Sequence, residues 1–193
     1  MTRGGWAWLT VALLLGVGAL AGWPVAREAR DAIDWQPALA AREPWRAFTA
    51  IGVHYSGQHL AVNLAGLALT AVFGVVARVP ARLAWAWLAA WPLTQFGLLM
   101  KPELAHYGGL SGVLHAGVAG VVVFLLATGS QAQRWVAGAV ALGGIAKLLN
   151  AAPWGEALRH PAGWDIAVAP LAHATGVVAG AVCAAIVLVT RRT

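Results

Sequence analysis

Charge is what this chain has least of. Only 10% of its 193 residues are charged, against about 25% in an ordinary soluble domain. Acids are scarcer than bases, 7 against 13. A chain this short cannot hide a composition that is 60% hydrophobic in a core of its own, so a lipid bilayer is the expected solvent. There is one cysteine, Cys183, which excludes an internal disulfide. The arginines fall singly between oily runs, with no basic stripe and no interleaved aromatics, which argues against nucleic acid as a partner. No Gly/Ser-rich linker and no repeat divides the chain, so residues 1–193 read as one domain. Tryptophan, by contrast, is plentiful at 11 residues, and indoles favour the membrane–water boundary.

A membrane-crossing helix needs about 20 apolar residues. Six runs qualify as candidates: about 6–25, 57–77, 83–100, 110–128, 135–150 and 166–190. The expectation is an all-α membrane protein, because lipid cannot satisfy open backbone groups. The fifth run is short and holds Lys147, which reads as a lysine snorkelling from an outer helix end. The first run also resembles a signal peptide, with Arg3 before it and "ALA" at residues 19–21. With six crossings, Arg3, Arg78, Arg82, Arg134, Arg191 and Arg192 share one side. All seven acids, Glu28, Asp31, Asp34, Glu43, Glu103, Glu156 and Asp165, share the other. The basic side is expected to be cytoplasmic, which puts both termini inside and segments 26–56, 101–109 and 151–165 outside.

Polar groups inside such runs are costly and tend to mark function. Here they are His54, His59 and Asn63 around the second run, Ser111 and His115 in the fourth, Lys147 in the fifth and His173 in the sixth. Topology brings His59, Asn63, Ser111, His115 and His173 to one level, toward the outer leaflet. His59 and Asn63 are four residues apart, as are Ser111 and His115, so each pair shares a helix face. His173, Gly176 and Gly180 form another face, on which the glycines admit a close neighbour. A serine hydroxyl attacks a carbonyl only when a base takes its proton. His173 is the natural base for Ser111. Asn63, His59 and the Ser111 amide are candidate donors to an oxyanion. No acid lies in any run, and Asp165 sits roughly 12 Å of helix before His173. The expectation is a Ser–His dyad without a third member.

These residues resemble the rhomboid intramembrane serine proteases. "HYSGQHLAVN" (54–63) is similar to the family's second-span motif, "GLSG" (109–112) to its nucleophile motif, and "AHATGVVAG" (172–180) to its last-span motif. "PWR" (44–46) resembles the Trp-Arg motif of its first outer loop, although Trp45 and Arg46 also read as an amphipathic loop resting at the interface. The resemblance covers nearly the whole chain. It implies a six-transmembrane-helix rhomboid-like bundle, with Ser111 and His173 catalytic. It implies that His59, Asn63, Gly109, His115 and His54 hold the oxyanion and substrate, with no cofactor and no metal. Position 115 is usually tyrosine in well-known rhomboids and is histidine here. That and the compact size are similar to the rhombosortases of Gram-negative bacteria. This implies an inner-membrane enzyme opening toward the periplasm. Its substrates would be transmembrane proteins ending in Gly-Gly, a hydrophobic helix and a basic tail.

His115 is open to two readings, a packing partner beneath His173 or a group that contacts substrate or shares the base role. Three alternatives stand beside the rhombosortase reading: a general rhomboid protease with other single-span substrates, a non-catalytic rhomboid-like binding protein, and a metal site built from His59, His115 and His173.

Overall fold

The computed structural model describes residues 1–190; Arg191 and Arg192, counted above on the basic side, lie outside the described residues. Seven α-helices form the frame of the described residues: α1 (Arg3–Ala29), α2 (Arg46–Thr49), α3 (Gly57–Val76), α4 (Ala81–Phe96), α5 (Ser111–Thr128), α6 (Gln131–Ala151) and α7 (Pro170–Val189). Five of these are long and apolar enough to cross a membrane: α1 and α4 with their 3-10 extensions to Ala32 and Met100, together with α3, α5 and α7. The protein is therefore a multi-pass membrane protein by length and composition. The expected fifth crossing is α6, a helix of 21 residues. At about 1.5 Å per residue it has the reach to span the hydrocarbon core. Its apolarity falls short of the other five, because Gln131, Gln133, Arg134, Lys147 and Asn150 occupy its ends.

Helix starts are set by local chemistry. Thr2 caps α1 by accepting from the Gly5 amide, and Ser56 caps α3 by accepting from the His59 amide. Ser130 and Gln133 form a reciprocal capping box at the start of α6, which satisfies amides that the first helical turn leaves without acceptors. α7 begins at Pro170, whose missing N–H costs nothing in that position.

One extended core joins α1, α3, α4, α5 and α7, with α6 entering through Ala137. Trp8 and Trp87 stack at its centre, with ring centroids 4.3 Å apart. Their indole N–H groups donate to the carbonyls of Thr70 (3.1 Å) and Val113 (2.8 Å). Gly74 and Gly117 leave the space these rings fill. Four tryptophans depart from the boundary role expected of them: Trp8, Trp35, Trp87 and Trp91 are buried, Trp8 and Trp87 with their N–H groups satisfied, Trp35 and Trp91 without an acceptor. α1 contributes Trp8, Leu15 and Ala19 to the core, so cleavage after residue 21 would remove buried side chains from the bundle.

The most extensive helix pair is α5 with α7. A methyl group at Gly176 would collide with the Gly112 carbonyl, and one at Gly180 with the Ala116 carbonyl. The two backbones touch directly. Gly176→Val should force them apart, and overpacking of this kind costs about 1–3 kcal/mol. The check is the thermal unfolding midpoint in detergent, which should fall; a midpoint equal to wild type would contradict backbone-to-backbone packing.

Candidate active site

Two supports converge on the start of α5. The first is the segment 30–56, which folds around Arg46. Its Nη1 donates to the carbonyls of Asp31 (2.8 Å) and Asp34 (3.0 Å), and its Nε to the Glu43 carboxylate (2.5 Å). The Asp34 carboxylate is fully buried, 3.4 Å from Arg46 and 2.7 Å from His106 Nδ1. An unpaired buried carboxylate would be expensive, so these partners fix the loop. Arg46 is therefore a structural arginine held inside the segment 30–56, while Trp45 is exposed. His106, an exposed loop residue, is tied to Asp34.

That loop grips the residues just before Ser111. Trp35 and Tyr107 exchange backbone hydrogen bonds of 2.8 Å each way, and the Gly109 amide donates to Ala50 (2.9 Å). Leu104, Tyr107, Gly108, Gly109 and Leu110 are buried, so the segment 104–110 dips into the protein. Gly109 has φ +127°, a backbone state that favours glycine. A side chain there would also strike the His59 ring, and Asn63 Nδ2 lies just beyond. Glycine at 109 is thus required twice, and His59 and Asn63 stand beside the residue two before Ser111.

The second support is α7. With the backbones of α5 and α7 in contact, His173 Nε2 lies 3.0 Å from Ser111 Oγ. Ser111 is half-buried and opens α5, so its amide belongs to the turn that lacks intrahelical acceptors. No carboxylate bonds His173 among the described residues. In its place the His115 ring stacks on His173, with centroids 4.4 Å apart and planes 16° from parallel.

Hydrogen-bond partners assign the tautomers. The Tyr55 amide donates to His59 Nδ1 (3.4 Å), so the neutral ring carries its proton on Nε2, the atom beside Gly109. Asn63 Nδ2 donates one hydrogen to the His59 carbonyl (3.0 Å) and keeps a second. His115 Nδ1 lies 2.7 Å from the Ser111 carbonyl, and Lys147 Nζ lies 3.0 Å from His115 Nε2. Lys147 therefore reaches a site histidine, which corrects the reading of it as a snorkelling lysine. Both ring nitrogens of His115 are engaged, and so is Nδ1 of His59. This argues against a three-imidazole metal site. Among the described residues the one grouping with metal-like spacing is Asp31, Asp34 and His106, where Arg46 already holds Asp34.

Tyr107 was not singled out in the sequence. Its hydroxyl is buried without a hydrogen-bond partner of its own, and burial pushes the phenol up to about 12, moderated by the nearby Ser111 hydroxyl and Gly112 amide. Only its place after "KPELAH" and before two glycines hinted at a role. Comparison with protein-family models, curated proteins and solved structures finds no match to this chain.

His54 lies against His59, with ring centroids 4.8 Å apart, and is 3% exposed. Burial lowers its pKa from 6.5 to about 4. Between these values the unfolded chain binds a proton that the folded chain refuses. Stability from this group is therefore complete above pH 6.5 and declines as pH falls toward 4, by about 3 kcal/mol. Unfolding midpoints from pH 7 to pH 4 should drop less steeply for His54→Gln than for wild type. Parallel curves would show that His54 does not titrate in this way.

Proposed function

We propose that this protein is a rhomboid-type intramembrane serine endopeptidase that uses Ser111 and His173 as a dyad. The observation that carries the reading is the 3.0 Å approach of His173 Nε2 to Ser111 Oγ across two helices, in a protein whose long helices are otherwise apolar. Such a pair is expensive to place in a bilayer and has the geometry of a nucleophile and its base. The motifs of the second, fourth and last spans support the family, and His115 in place of tyrosine supports its rhombosortase branch. In this reading α6 is a sixth crossing, both termini are cytoplasmic, and the site opens to the periplasm of a bacterial inner membrane.

The chemistry follows from the atoms. Ser111 Oγ attacks the scissile carbonyl carbon as its proton passes to His173 Nε2. The resulting oxyanion lies toward Gly109, where His59 Nε2–H, the second Asn63 amide hydrogen and the Ser111 N–H can donate to it. Collapse expels the leaving amine, which takes the proton from His173. A water then loses its proton to His173 and attacks the acyl-serine; collapse frees the acid as His173 returns the proton to Ser111 Oγ. Substrates of the proposed branch are membrane proteins ending in Gly-Gly, an apolar helix and a basic tail. Glycine favours such a cut physically: each one weakens a helix by about 1 kcal/mol relative to alanine, so the scissile segment unwinds readily.

Ser111→Ala and His173→Ala should each lower cleavage of such a substrate by at least about 10³-fold and leave an inserted, folded protein. Mass spectrometry of the products in detergent reads the result. Cleavage surviving in either variant, with folding intact, would transfer the chemistry to other residues.

A further inference from the structure

The side chain of Lys147 has no carboxylate within ion-pair distance among the described residues. Its one recorded bond runs to His115 Nε2, 3.0 Å away and 32 residues earlier in the chain. The chemistry of this bond is fixed by the other side of the ring. The Ser111 carbonyl can only accept, so His115 Nδ1, 2.7 Å from it, must donate. A neutral ring protonated at Nδ1 presents a lone pair at Nε2. An ammonium has three donors and no acceptor, so Lys147 donates to that lone pair. The same ring lies parallel to His173. Lys147, His115, His173 and Ser111 thus form a closed set of contacts.

The helix that carries Lys147 joins the core through Ala137, with Val140 and Ala141 packed against it. Ala137 is the only residue of α6 that is fully buried. Side chains at Gly138, Gly143 and Gly144 would meet nothing, so these glycines serve no close approach and only loosen the helix. Near its C-terminal end, Arg159 bonds the carbonyls of Asn150 and Ala151. Lys147 is the α6 side chain that reaches across to the site.

We propose that Lys147 is a positioning residue. By donating to His115 Nε2 it locks that ring in the Nδ1–H tautomer, keeps it flat against His173, and makes the aim of the Ser111–His173 pair depend on α6 being seated. Lys147 touches neither the nucleophile nor the base itself.

The proposal rests on the proteolytic reading, and the two fail differently. The probe is a synthetic peptide carrying Gly-Gly, an apolar helix of about 20 residues and an Arg-Arg tail. Lys147→Met removes the donor at similar length, and Lys147→Gln restores a neutral N–H donor. Lys147→Met should lower kcat about tenfold with KM unchanged, the scale of one lost hydrogen bond to a charged group, and Lys147→Gln should recover most of it. Nitrogen-15 NMR of histidine-labelled protein in bilayers, assigned with His115→Phe, should show His115 protonated at Nδ1 in wild type and Lys147→Gln and a changed signature in Lys147→Met. A Lys147→Met protein with wild-type kcat and an unaltered His115 signature overturns the proposal, as does a change in KM alone, which would make Lys147 a substrate contact. A wild type that cuts no peptide while keeping the expected His115 signature overturns the proteolytic reading instead.

Discussion

The direct contact between the backbones of α5 and α7 is the constraint on which the site depends. Apolar side chains cannot drive helices together in lipid, where the tails are as oily as leucine. Association there relies on close packing and polar bonds. Gly112 against Gly176, and Ala116 against Gly180, supply the packing. One residue before the first contact on α5 stands Ser111, and three before it on α7 stands His173. Their 3.0 Å separation is a consequence of helix spacing that any larger side chain at Gly112 or Gly176 would widen.

That contact places two atoms; the segment 30–56 places the rest. Arg46 organises residues 30–56 around its guanidinium, and Asp34 passes the constraint on to His106. The backbone bridge from Trp35 to Tyr107 and the bond from Gly109 to Ala50 then hold the approach to Ser111. The same approach sets Gly109 beside His59 and Asn63. A buried ion-pair network and a small-residue helix seam thus meet at one serine, each acting where the other cannot reach.

Much of this was legible in the residues, for a physical reason. Five apolar runs announce five helices, since length and oiliness alone define a crossing. Ser111 and His173 stand out because polar groups in oil are rare, and the glycines after His173 already said that a neighbour comes close. The fifth run was harder: Lys147 and the polar ends of α6 dilute its signal. Lys147 itself was misread because snorkelling is the usual fate of a lysine near a helix end, and its partner lies 32 residues away. Tyr107 and the Asp34–His106 pair were hidden for the same reason, being contacts between loop residues 72 positions apart. The buried tryptophans show the limit of composition: it counts indoles but cannot say which of them find an acceptor inside.

The central claim is that Ser111 and His173 form one reactive unit with an oxyanion site beside Gly109. An experimental structure of the protein in lipid after reaction with a fluorophosphonate tests it most directly. The expected result is phosphorus bonded to Ser111 Oγ, its phosphoryl oxygen facing His59 and Asn63, and His173 within hydrogen-bond distance. Phosphorus on another residue, or an unmodified Ser111 separated from His173 by an intervening side chain, would contradict the account.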